Sequence, residues 1–276
     1  MQTPYLELRS RRELGTILSD SFTLIRLNSK PLTTVLVQTC VVYFVLAVLF
    51  SALYQYANVE SWMINDISAF GVVFLLLMLG SILFYASACA AVYSFMQNYI
   101  ETKGQVDVQA VIRTARQKTG SMILLVLITY FLLILGFLFL LIPGVYFIVP
   151  VALAFPVFCL EDSGKLDSIK RAFKLTSGYW WVSFGTLLVI VIVISIISFV
   201  FQLPSTVYLG GKTFFTLEEG NGEFGGDFIY LILATIGSAA SNLLSIVMIV
   251  AIGLLYFDLD EEKNRTGLKA KLDDLG

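Results

Sequence analysis

The chain alternates between long apolar runs and short charged connectors. A helix needs ~20 mostly apolar residues to cross a hydrocarbon layer of ~30 Å. Six runs approach or exceed that length, at residues 31–56, 67–100, 120–142, 145–160, 180–201 and 228–256. None of them contains Asp, Glu, Lys or Arg. The third and fourth form one apolar block, broken only at Pro143-Gly144. Proline removes a helical donor and glycine accepts positive φ, so a tight helix–helix turn is predicted there. Pro150 and Pro156 predict a kinked fourth span, with a re-entrant segment as the alternative. The first run is too long for a signal peptide and lacks a small-residue cleavage site, so a retained span is predicted.

A basic, amphipathic segment precedes each pair of runs. The first sets Leu14, Ile17, Leu18, Phe22 and Ile25 on one face, beside Arg11, Arg12 and Arg26. The second sets Val108, Val111, Ile112 and Ala115 beside Arg113, Arg116 and Lys118. The third sets Leu166, Ile169 and Phe173 beside Lys165, Lys170, Arg171 and Lys174. These spacings are helical, and helices of this kind lie in the headgroup layer. The expected architecture is a single transmembrane domain, residues 1–276, of the all-α integral membrane class. Six transmembrane helices form three hairpins, each preceded by a cytoplasmic interfacial amphipathic helix.

Charge assigns the faces. Lys and Arg accumulate in short cytoplasmic loops. With six spans and the N-terminus inside, 17 of the 18 basic residues fall on the inner side. Lys212 is the exception. The outer connectors then carry a net charge of -5 and the inner segments +3. Leaving the fourth run uncrossed would move Lys165, Lys170, Arg171 and Lys174 to the other face and spoil this sorting. The expectation is N-in and C-in, with a cytoplasmic tail at 257–276.

Composition narrows the chemistry. At 58% hydrophobic and 14% charged residues, the chain departs from the ~45–50% and ~25% of soluble domains. There is no histidine, which removes Ser-His and Cys-His nucleophile pairs, imidazole ligands and imidazole proton shuttles. Spans without charge argue against ion-coupled transport, which places an ionisable group near mid-membrane. Cys40, Cys89 and Cys159 all fall in apolar runs and show no CxxC spacing, so no metal site is expected. The acidic run at 218–227 has a weak calcium-loop look but lacks the EF-hand spacing, and reads as a solvated loop. Tyr146, Tyr179, Trp180, Trp181 and Tyr256 fit an interfacial aromatic belt.

Candidate contacts remain on the inner side. Arg113, Arg116, Lys170, Arg171 and Lys174 could meet anionic headgroups, at ~1 kcal/mol for each basic residue near such a surface. Snorkelling side chains of ordinary positive-inside topology are the plainer reading. Glu161 ends the fourth run and meets Lys165 at i+4, or it forms a headgroup site with Arg171 and Lys174. Small residues at 86–91 and 237–241 let helices approach closely, within the bundle or in a homo-oligomer.

Three stretches carry a resemblance. They are Ile142-Pro143-Gly144-Val145-Tyr146, then 156–161 ending in Glu161, then Ser168 to Trp181 with its Leu-Thr-Ser-Gly and aromatic start. There the chain resembles the membrane domain attached to some bacterial glycerophosphoryl diester phosphodiesterases. It is also similar to related stand-alone six-helix membrane proteins. The opening 13–22 and the ending Leu255-Tyr256-Phe257-Asp258-Leu259-Asp260 also fit. In the fused relatives the activity resides in a separate soluble barrel with metal-binding carboxylates and His. This chain has no histidine, so the activity is not carried over. The resemblance implies a bacterial cytoplasmic membrane protein. The expected function is a non-catalytic module that meets lipid or a protein partner, in envelope lipid handling or as a scaffold. It needs no cofactor and binds no nucleic acid. The alternative is a transporter or channel for a neutral or amphiphilic solute.

Overall fold

The structure is a computed structural model that describes residues 5–56, 67–139, 141–219, 228–267 and 269. Backbone polar groups in hydrocarbon must bond within their own segment, so apolar runs of this length become helices. The described helices are α1 (Leu14–Leu27), α2 (Ser29–Tyr56), α3 (Ile67–Glu101), α4 (Val108–Phe139), α5 (Leu141–Leu160), α6 (Lys165–Thr176), α7 (Trp180–Glu219) and α8 (Phe228–Asn264). Six of them, α2, α3, α4, α5, α7 and α8, are long and apolar enough to cross a membrane.

The joints follow from local chemistry. Between α1 and α2, the Asn28 amide and side chain both donate to Leu24 O, at 3.1 and 3.0 Å. After α3 the chain turns through Gly104 at φ +95°, whose amide returns to Tyr99 O at 2.9 Å. Asp107 then opens α4, its Oδ1 accepting from the amides of Gln109 (3.0 Å) and Ala110 (3.1 Å). An N-terminal carboxylate of this kind satisfies donors that the first turn cannot. Gly178 at φ +86° separates α6 from α7, a backbone that glycine adopts without strain.

Two expectations change. The second amphipathic segment is not a separate helix. It is the first part of α4, continuous over 32 residues, because nothing between Val108 and Phe139 breaks the ladder. At 1.5 Å per residue α4 runs ~48 Å, well past the hydrocarbon thickness. The turn after α4 is also not Pro143-Gly144. Pro143 lies in the first turn of α5, where its missing N–H would have no partner anyway. Gly144 is helical and serves a close approach: a Cβ there would lie 2.5 Å from the Phe137 ring. α4 ends at Phe139 and α5 begins at Leu141, and residue 140 lies outside the described residues.

Pro150 and Pro156 both sit inside one continuous helix, α5. Pro150 leaves the carbonyl of Tyr146, four residues earlier, without its helical donor. The Trp180 indole Nε1–H fills that place, donating to Tyr146 O at 2.9 Å. The Trp180 ring stacks on Tyr146 (centroids 5.5 Å) and on Phe184 (5.0 Å). α7 likewise runs through Pro204 to Glu219, so 202–219, most of the expected outer connector 202–227, is helix. The connector 57–66 and the rest of the acidic run, 220–227, lie outside the described residues.

The chain groups into two compact units. The first comprises residues 1–40, 86–191 and 246–276, and the second 41–85 and 192–245. In the first, the small-residue stretch Ala86–Ala91 and the stretch Ile249–Phe257 are buried without interruption. Gly253 allows that: a Cβ there would meet Met96 Sδ at 2.8 Å and Tyr93 at 3.1 Å. In the second unit, Gly80 approaches Ala47 and Phe50, and Gly237 approaches the Phe201 carbonyl.

Candidate functional site

The polar chemistry of the first unit gathers at the ends of α3, α5 and α8. Arg171, on α6, is the hub. Its Nε donates to both Glu161 oxygens at 3.1 Å, and Nη2 to Asp260 Oδ1 at 3.2 Å. A planar fork that serves two carboxylates is a task for arginine rather than lysine. Tyr256 Oη donates to Glu161 Oε1 at 2.9 Å. Asp260, 6% exposed, also accepts from Asn264 Nδ2 (2.6 Å) and Thr266 Oγ1 (2.7 Å). A buried carboxylate with several donors is satisfied, whereas one left bare would be costly.

This cluster forms one wall of a cavity of about 260 Å³. Arg9, Gln97, Glu101, Leu160 and Phe257 complete the lining with Ile100. The segment before α1 is held in place to present Arg9. The Leu6 amide donates to Tyr99 Oη at 2.8 Å, and Tyr5 stacks on Tyr99 at 5.3 Å. Leu8 is fully buried. Arg12 bonds the carbonyls of Glu7, Leu8 and Ser10, and pairs with Asp20 at 2.9 Å. The Arg12 amide donates to Asp258 Oδ1 at 2.7 Å.

Neighbouring contacts brace the same end. Lys118 donates to Cys159 O at 2.7 Å and to Gln97 Oε1 at 3.2 Å, and pairs with Asp162. It thereby serves a carbonyl in the last turn of α5, where a cation also meets the helix dipole. Lys263 does the same for α6, bonding the carbonyls of Lys174 (2.8 Å) and Ser177. Tyr179 Oη donates to Glu262 at 2.8 Å, and Glu262 also pairs with Arg11. Donating to a carboxylate favours the protonated phenol and pushes the Tyr179 pKa up.

The structure separates the sequence candidates into groups. Glu161 and Arg171 meet, while Glu161 does not pair with Lys165. Lys170 reaches only Asp167, at 3.8 Å on an exposed face. Lys174 is exposed, and its backbone rather than its amine joins the network. Arg113 and Arg116 line a different, open concavity of about 520 Å³ with Asp107, Gln109 and Gln117. Arg116 also donates to Gln38 O at 2.9 Å. Tyr256 leaves the aromatic belt: it is 4% exposed and bonded to Glu161. Trp181 is 78% exposed.

Residue-by-residue reading missed Arg9, Glu101 and Asp260. Arg171 and Asp260 lie 89 positions apart, beyond any local spacing rule. Of the stretches quoted for the resemblance, the middle one carries Glu161 and Arg171 and the ending one Asp260, and these three side chains meet. Among the described residues, no group of three or more His, Cys, Asp or Glu is placed to hold a metal ion. No protein-family model, curated protein or solved structure matches the chain.

Proposed function

We propose that the chain is a non-catalytic integral membrane module that holds a lipid headgroup at the inner ends of its spans. The carrying observation is the cavity itself, a charged and preorganised hollow at the ends of three spanning helices. Its volume lies below the ~300–1,000 Å³ of sites that enclose whole small ligands. It therefore suits a headgroup whose acyl chains stay outside. Exposed apolar side chains on the first unit's own helices suit those chains, among them Leu124, Leu127 and Val182. Arg113 and Arg116 add an open basic concavity for a second, looser headgroup contact.

The reading places both termini and the four basic segments on the cytoplasmic face of a bacterial membrane. The resemblance supports this, since fused relatives keep their hydrolytic chemistry in a separate barrel. The role in envelope lipid handling or scaffolding follows from a module that binds lipid and lacks catalytic groups. The test is native mass spectrometry of the gently solubilised chain. Retained phospholipid that dissociates on Arg171→Gln is expected. A bare chain that moves solute across vesicle membranes would overturn the reading in favour of a transporter.

A further inference from the structure

We infer that the cavity selects a primary ammonium joined to a phosphate, the chemistry of an ethanolamine phosphodiester. The inference rests on the headgroup reading and narrows it to one class. Two guanidiniums and three carboxylates line the hollow. Its fixed charge is thus negative, unlike the basic segments around it, and a purely anionic group meets net repulsion there. The charges are also unequally committed. Arg171 is spent on Glu161 and Asp260, and Asp260 is saturated by three donors. Arg9 is exposed and makes no ion pair among the described residues. Glu101 receives one weak bond, from Gln97 at 3.2 Å.

These open valences define the ligand. Arg9 offers a planar donor fork suited to phosphate oxygens. Glu101, at the end of α3, offers its carboxylate as the acceptor for an ammonium. Glu161, held by Arg171 and Tyr256, forms the wall beside it. A primary ammonium brings three N–H donors, whereas a quaternary one brings none. Glycerol or bare phosphate headgroups leave the Glu101 carboxylate unneutralised. Such unpaired groups set specificity more strongly than added contacts do.

The detached headgroup and the whole lipid share this chemistry, so the experiment has two arms. In the first, the full chain in detergent is titrated with glycerophosphoethanolamine, glycerophosphocholine, glycerophosphoglycerol or inorganic phosphate, read by phosphorus NMR. Glycerophosphoethanolamine should bind about tenfold tighter than the others, the effect of roughly one charge-assisted contact. Arg9→Gln should weaken it about tenfold, and Glu101→Gln should remove most of the preference over glycerophosphoglycerol. Both side chains are exposed, so neither variant should disturb folding. In the second arm, the chain is released from bilayers of equal ethanolamine and glycerol phospholipid, and its bound lipid is weighed. Ethanolamine lipid retained, with headgroup preference in the first arm, supports both readings. Preference in the first arm without retained lipid supports the zwitterion site and removes its lipid source. Retained glycerol lipid, or equal affinity for glycerophosphocholine or glycerophosphoglycerol, overturns the inference while leaving lipid binding standing. No binding in either arm removes both.

Discussion

The two compact units use the same apolar alphabet in different ways. In the first, Ala86–Met96 and Ile249–Phe257 are buried, and charged side chains are locked into a network. In the second, the buried described residues are Ala47, Val73, Gly80, Phe84, Ile194, Ser205 and Gly237. Its large side chains are mostly open, and Gln202 donates across helices to Ser241 at 3.3 Å. Burial inside protein therefore does not follow from hydrophobicity in this chain. Lipid is as apolar as leucine, so helices pack where small residues allow close backbone approach. The remaining apolar surface is left to the solvent that suits it, the hydrocarbon.

That contrast can be broken at named positions. The largest effect should come from charging the open surface. Val42, 65% exposed near the middle of α2, becomes a mid-membrane cation in Val42→Arg. The insertion cost should be about 2.5–3.5 kcal/mol, read as lost membrane integration in a glycosylation-reporter assay. Unchanged integration would mean that this face does not meet lipid.

Next comes the network. Arg171→Gln strips the cation from between Glu161 and Asp260, and should cost about 2–3 kcal/mol of unfolding free energy in mixed micelles. The figure sits below that of a fully buried pair, because Arg171 and Glu161 side chains remain 28% exposed. Arg171→Lys should recover little of the loss, since an ammonium lacks the fork.

Packing is a sharper contrast of smaller size. Leu153→Ala in the first unit empties a fully buried position and should cost about 2 kcal/mol, mostly the cavity term. Leu75→Ala in the second unit, 67% exposed, should fall within about 0.5 kcal/mol of the parent. Equal costs at the two positions would erase the distinction.

The smallest effect isolates one hydrogen bond. Trp180→Phe should cost about 1 kcal/mol by orphaning the Tyr146 carbonyl. In a Pro150→Ala background the helix supplies its own donor, and most of that cost should vanish. A double-mutant cycle in micelles measures the coupling.

How far the sequence could be read depended on the range of the cause. Charge-free apolar runs located all six long helices, because each run carries its own reason to be helical. Their ends were less legible. Val108–Phe139 continues through the expected interfacial break, since an amphipathic start and an apolar span share one helical period. Pro143-Gly144 was misplaced as a turn because proline in a first helical turn and proline in a loop look alike in a sequence. Of the site, Glu161 with Arg171 was legible only as the alternative to the nearer Glu161–Lys165 pair, and the structure forms the more distant one. Arg9 and Asp260 were not, because only the tertiary arrangement brings them to that pair.

The central claim is that a lipid headgroup occupies the hollow between Arg9, Glu101 and Glu161. The most direct measurement is photo-crosslinking of the reconstituted chain with a phospholipid bearing a diazirine at its headgroup, followed by peptide mapping. The account predicts labels concentrated on 97–101, 160–171 and 256–266, and lost with Arg9→Gln. Labels spread over exposed positions regardless of the hollow, or unchanged by Arg9→Gln, would contradict it.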